Sequence, residues 1–194
     1  MKRVVTAAIL AASVGLSACV PLMVVGGVAV GAWIGSDPRP TVSIKNDTKL
    51  GADIDAKIRD EWRDQVHISV NTFNGQVLLT GEVPSADIKA KAEQIARSFS
   101  ETKRVHNDLF IGPLSTTTER LNDTQLTTRV KSVLLASGGD PAAVHLQVIT
   151  DRSVVYLLGM SSPALADKAA NIAASVSGVA RVVKLVQPVQ ALPQ

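Results

Sequence analysis

Ile54, Ile58 and Trp62 recur every four residues, the spacing that puts side chains on one stripe of a helix, and they predict a helix beginning near Asp53. Val66, Ile68 and Val70 then alternate with His67 and Ser69, the period of a half-buried strand. Asn74-Gly75 supplies a hairpin turn into a second strand through Gln76-Val77-Leu78-Leu79-Thr80-Gly81. A second amphipathic helix from about Ser85 turns Ile88, Ala92, Ile95 and Phe99 inward, and Val105 to Ile111 supply a last strand. The order is helix, strand, strand, helix, strand.

The whole pattern then returns. Val66-His67-Ile68-Ser69-Val70 is matched by Val144-His145-Leu146-Gln147-Val148, and Val77 to Gly81 by Val155-Tyr156-Leu157-Leu158-Gly159, at a constant offset of 78 residues. After a slip of one residue, Ile95-Ala96 matches Ile172-Ala173 and Arg104-Val105 matches Arg181-Val182. Two copies of one unit therefore follow each other. In the second copy Leu126, Val130, Val133 and Leu134 face inward on a helix from near Thr124, with Asn122 or Asp123 as its amino-terminal cap. Leu165, Ala169, Ile172 and Val176 line the next helix, and Val179 to Val186 form the closing strand.

These elements predict an α+β fold of two tandem αββαβ domains, each a three-stranded mixed sheet with two helices on one face. The hairpin is antiparallel, while strand, helix, strand implies a right-handed crossover between parallel strands. The first domain spans 48–112, a Ser- and Thr-rich linker with Pro113 spans 113–118, the second domain spans 119–188, and 189–194 is a tail. Units of about 65 residues are marginal alone, so the copies are expected to pack on each other.

The start of the chain has a different character. Lys2 and Arg3 precede the uncharged run Val4 to Leu16, which has the length of a signal sequence rather than a membrane span. Leu16-Ser17-Ala18-Cys19 follows, and Cys19 is the one cysteine of the chain. This is the layout of a bacterial lipoprotein signal: residues 1–18 are cleaved, and Cys19 carries a diacylglycerol and an N-acyl chain. A lone exported cysteine has no internal disulfide partner, which favours acylation. No other cofactor is expected. Residues 19–47 read as an acylated tether, in which Val20 to Gly35 is apolar and glycine-punctuated and Asp37 to Asp47 is a flexible arm. Val20, rather than an acidic residue, follows the cysteine, which favours the outer membrane over retention on the inner one.

Removing the signal takes Lys2 and Arg3 from a chain of net charge +3, which leaves +1. A general affinity for nucleic acid is therefore not expected. The charge is unevenly spread, with 9 basic and 10 acidic side chains in 48–112 against 7 and 5 in 119–188. Asp53, Asp55, Asp60, Glu61 and Asp64 crowd the first helix of copy one, whereas Thr124 to Leu135 holds Arg129 and Lys131 and no acid.

The lipobox, followed by two units each with a hydrophobic strand running into Gly81 or Gly159, resembles the BON family (bacterial OsmY and nodulation domain). Ser36-Asp37-Pro38-Arg39, Asn122-Asp123-Thr124, Thr127-Thr128-Arg129-Val130-Lys131-Ser132 and Val176-Ser177-Gly178-Val179 bring it closer to the dual-BON outer-membrane lipoproteins. That resemblance implies lipid-anchored residence on the outer membrane facing the periplasm. It also implies binding of anionic phospholipid through the second unit and a part in envelope integrity. The lipoproteins it resembles carry an aromatic where this chain has Gln125.

Helix geometry identifies the side chains such a site would use. Gln125, Thr128, Arg129 and Ser132 form one flank of the helix, with Lys131 and Leu135 on its outer side, and small polar groups, two cations and an apolar edge suit a phospholipid headgroup layer. A second reading is a non-enzymatic adaptor that holds an envelope protein partner through open sheet faces or the first unit, with lipid incidental. An enzyme is not expected: His67, His106 and His145 are scattered, no serine sits in a nucleophile elbow, and no metal-ligand spacing occurs.

Overall fold

A computed structural model of the chain describes residues 41–137 and 146–188. Cys19, the segment Val20 to Gly35, His145 and the tail 189–194 lie outside the described residues. The first unit consists of α1 (Thr41–Trp62), β1 (His67–Phe73), β2 (Gln76–Val83), α2 (Ala86–Arg97), β3 (Arg104–Asn107) and β4 (Phe110–Ile111). The second consists of α3 (Thr117–Ala136), β5 (Leu146–Asp151), β6 (Val154–Ser161), α4 (Pro163–Ala174) and β7 (Arg181–Pro188).

Each unit has the predicted topology. β1 and β5 run antiparallel to β2 and β6 through the hairpins, and β3, β4 and β7 run parallel to the middle strand. The last strand of the first unit is broken: β3 and β4 both pair with β2, and the interruption at Asp108 and Leu109 buries Leu109 in the core. Both strands that were expected to end in glycine run on, β2 to Val83 and β6 to Ser161. Gly81 is a point of close approach within β2: its φ is +114°, and a Cβ there would stand 2.0 Å from the His67 carbonyl oxygen.

Two helices cover one face of each sheet. Leu50, Ile54, Ile58 and Trp62 of α1 meet Ile68, Val70, Val77 and Leu79, with Ala92, Ile95 and Ala96 of α2 closing the layer. In the second unit Leu126, Val130 and Leu134 of α3 and Ala169 and Ala173 of α4 cover Val148, Val155 and Leu157. Burial of such side chains contributes roughly 1.5–3 kcal/mol each.

The opposite faces of the two sheets pack on each other. Phe73 and Leu78 from the first sheet join Tyr156, Leu158 and Leu185 from the second in one buried cluster. The sheet faces that the adaptor reading took to be open are therefore covered. Polar contacts frame this seam. Tyr156 donates to Asp108 Oδ2 at 2.7 Å, Arg181 pairs with the same oxygen at 2.9 Å, and Asn74 donates to Gln187 at 2.8 Å. Arg152 stacks on the Phe110 ring, its guanidinium carbon 3.8 Å from the centroid.

Both first helices start earlier than expected. α1 begins at Thr41 rather than near Asp53, so residues 41–47 are helix and not a flexible arm, and Leu50 joins the core. α3 begins at Thr117 rather than near Thr124, taking two residues from the expected linker. Asp47 and Asp123 explain why. Each sits six residues into its helix (41 to 47, 117 to 123) and turns its carboxylate onto the hairpin of its own unit. Asp47 accepts from the Asn74 and Gly75 amides at 2.6 and 2.9 Å, and Asp123 from the Arg152 and Ser153 amides at 2.7 and 2.9 Å. Charge-assisted bonds of this kind contribute about 1.5–3 kcal/mol. Asp123 therefore ties a turn and does not cap the helix.

Candidate membrane-facing helix

α3 is fixed at its start by a reciprocal cap. Thr116 Oγ1 accepts from the Glu119 amide at 3.2 Å, and the Glu119 carboxylate accepts from the Thr116 amide at 2.7 Å. The Thr116 amide and, at 2.8 Å, the Thr116 hydroxyl donate to that carboxylate and hold the Glu119 carboxyl below its ordinary value. One side of the helix is seated by Leu126, Val130 and Leu134, and Thr127 donates to Thr150 of β5 at 2.7 Å.

The remaining surface contains the predicted residues. Gln125, Thr128, Arg129, Ser132 and Leu135 are exposed and Lys131 is half-buried. Leu121 completes the outer stripe, which runs 121, 125, 128, 132, 135, and it is 56% exposed against 42% for Leu135. Sequence reading missed Leu121 because it placed the helix start beyond it; the i, i+4 and i+7 spacing carries the signal. Val133, expected inside, is 38% exposed. It lies at the edge of the buried stripe, one turn after Arg129 on the same flank.

The two cations stand on opposite flanks of the stripe rather than together, because two residues on a helix are separated by about 200°. Arg129 passes over Gly178, where an added Cβ would stand 3.4 Å from its Nη2. Lys131 lies on the β5 side, and burial pushes its ammonium below the ordinary lysine value. Neither pairs with a carboxylate among the described residues. The hydroxyls between them are tied to the helix: Thr128 donates to the Thr124 carbonyl at 3.1 Å and Ser132 to the Thr128 carbonyl at 2.9 Å. They present lone pairs and small size rather than free donors.

α1 gives the contrast. Lys49 pairs with Asp53 at 2.5 Å, Arg59 pairs with Asp55, and Glu61 pairs with Lys91 of α2. Asp53 and Asp55 are thus each neutralised by a cation of the same helix. Among the described residues no three of His, Cys, Asp and Glu converge as a metal site would require, and no helix is long and apolar enough to cross a membrane.

The family model for the BON domain matches the chain twice, over residues 46–113 and 122–189. The chain belongs to the BON family. The two matches fall on the two units, and each takes in the carboxylate that holds the hairpin or begins beside it. Among curated proteins this BON chain is 35% identical over 185 residues to "Outer membrane lipoprotein DolP" of Haemophilus influenzae, covering 92% of this chain and 93% of that one. It is also 35% identical over 136 residues to "21 kDa hemolysin" of Actinobacillus pleuropneumoniae, covering 70% of this chain and 68% of that one. Among solved structures, the C-terminal domain of CdsD, a structural protein of the Chlamydia trachomatis type III secretion system, aligns with a TM-score of 0.30 and 16% identity, over 73% of this chain and 98% of that one.

Proposed function

We propose that this BON protein is a non-enzymatic, periplasm-facing lipoprotein of the outer membrane, held there by acyl chains on Cys19, and that its second unit binds anionic phospholipid through the outer face of α3. Its role is to help keep the outer membrane intact. Similarity to an outer membrane lipoprotein over 92% of the chain supports the location. The observation that carries the lipid assignment is the pair of unneutralised cations, Arg129 and Lys131, flanking an exposed stripe of Leu121, Gln125, Thr128, Ser132 and Leu135.

The chemistry is that of an interfacial helix. Leu121 and Leu135 reach toward the acyl boundary at the two ends, the small polar side chains let the helix approach headgroups closely, and the cations meet phosphate. Each cation near an anionic surface contributes on the order of 1 kcal/mol, so this surface alone binds weakly. Acyl anchoring supplies the rest by raising the local concentration of membrane around the helix. α3 lies on the helical side of its sheet, away from the seam, so the first unit does not cover it.

Liposome flotation of the unacylated chain tests this reading. Binding is expected to vesicles that contain phosphatidylglycerol and not to pure phosphatidylcholine. Absence of binding, or binding that survives charge reversal at both Arg129 and Lys131, removes α3 as the lipid site.

A further inference from the structure

The seam between the two sheets contains charge that a permanently closed interface would be expected to exclude. Glu82 of β2 is fully buried. Its Oε2 lies 2.9 Å from His67 Nδ1 and accepts from Ser115 Oγ at 3.1 Å, while Oε1 has no hydrogen bond and Arg152 stands 3.9 Å from it. Across the seam, Asp151 at the end of β5 accepts from the Gly81 amide at 3.1 Å. Burial and the charges of Glu82 and Asp123 push the Asp151 carboxyl up to about 6, against the Gly81 bond and His67, which favour its ionised form.

Other groups on the same face are also unsatisfied. Gln76 Oε1 and Thr80 Oγ1 of β2 are buried without a partner, as is Nε2 of His106, which sits opposite Leu78 on β3. Each would gain water if the sheets parted. Phe73, Leu78, Tyr156, Leu158 and Leu185, with the Tyr156–Asp108–Arg181 clamp, oppose that parting. The seam is a balance between an apolar centre and a polar, charged margin.

We propose that this seam is a proton-sensitive latch, closed while Asp151 holds a proton against the buried Glu82 and loosened when Asp151 is ionised. His67 from β1 and Arg152 from the β5–β6 turn face Glu82 and Asp151, and Asp123 from α3 adds negative charge behind them. The closed-state value of Asp151, about 6, lies above the ordinary 3.8, so protonation favours closure. The full advantage is present below 3.8 and is lost as the pH rises through 6. Between pH 5 and pH 8 this carboxyl alone raises the ratio of open to closed forms about tenfold. Because Asp123 also holds the Arg152–Ser153 turn, the latch is one hydrogen-bonded step from α3.

The test is the distance between the two outer helix layers. The full chain with Cys19→Ser, Asp60→Cys and Lys168→Cys is spin-labelled and measured in a neutral detergent by double electron–electron resonance. A longer-distance population whose ratio to the closed one rises about tenfold from pH 5 to pH 8, and which no longer responds to pH in Asp151→Asn, supports the latch. An unchanged distribution, or a response that survives Asp151→Asn, overturns it. Glu82→Gln should shrink the response without abolishing it, because the burial of Asp151 remains. Should that variant fail to fold, the Gly81 amide resonance gives the second readout: titration near pH 6 in the unsubstituted chain and none in Asp151→Asn supports the latch, and no titration near pH 6 overturns it.

Discussion

Superposing α1 on α3 by the carboxylates that hold their hairpins aligns the two helices residue by residue. Asp47 falls on Asp123, Leu50 on Leu126, Ile54 on Val130 and Ile58 on Leu134, so the buried stripe is conserved between the units. The surface is not. Asp53 falls on Arg129 and Asp55 on Lys131, and their partners Lys49 and Arg59 fall on Gln125 and Leu135. Two acids held in salt bridges have become two cations with uncharged neighbours. The half-burial of Lys131 follows from the same register, since the Asp55 side chain is only 3% exposed. One scaffold thus carries a helix whose acids at two positions are paired and a helix whose cations at the same positions are not. Of the four positions that make the difference, only the one held by Asp55 and Lys131 is substantially buried.

The largest effect is expected from giving α3 the charges of α1. Arg129→Asp with Lys131→Asp removes two favourable terms and adds two unfavourable ones, together about 4 kcal/mol or roughly a thousandfold in partition onto anionic vesicles. Sedimentation with vesicles measures it, and circular dichroism checks that the fold persists. Next is loss of a hairpin carboxylate. Asp123→Ala should cost about 2–3 kcal/mol in urea unfolding, because it frees two amides of a turn built at Arg152 and Ser153 with φ of 50° and 61° and no glycine. A smaller change sharpens the contrast with Asn74-Gly75. Ser153→Gly should stabilise the chain by roughly 0.5–1 kcal/mol, since glycine takes positive φ without strain. Gly75→Ser should destabilise it by a similar amount or more, since a Cβ there would stand 2.7 Å from the Glu101 carbonyl oxygen. Equal responses at 75 and 153 would show that the two hairpins are held alike.

The topology and most of the buried positions were legible because alternation, helical spacing and the repeat each report burial directly. The helix starts were missed because Thr41 to Ala52 is polar and contains Gly51, so no apolar stripe marks it. A different signal was present: Asn46-Asp47-Thr48 recurs as Asn122-Asp123-Thr124, a repeat of 76 residues that fixes the register of α1 on α3. The seam was harder to foresee. Gln76, Thr80 and Glu82 on alternate positions of β2 look like a solvent face, and only Tyr156, Leu158 and Met160 on the matching strand hint that both faces are covered. The cations of α3 were legible as a charge anomaly. That Arg129 and Lys131 occupy opposite flanks follows once the core side of the helix is fixed.

The back-to-back packing of the sheets also bears on how such a protein can be dissected. Cutting the chain between β4 and α3 would uncover Phe73 and Leu78 on one fragment and Tyr156, Leu158 and Leu185 on the other. A detached second half would be adhesive toward micelles, chaperones and its own copies, through a surface on the opposite side of its sheet from α3.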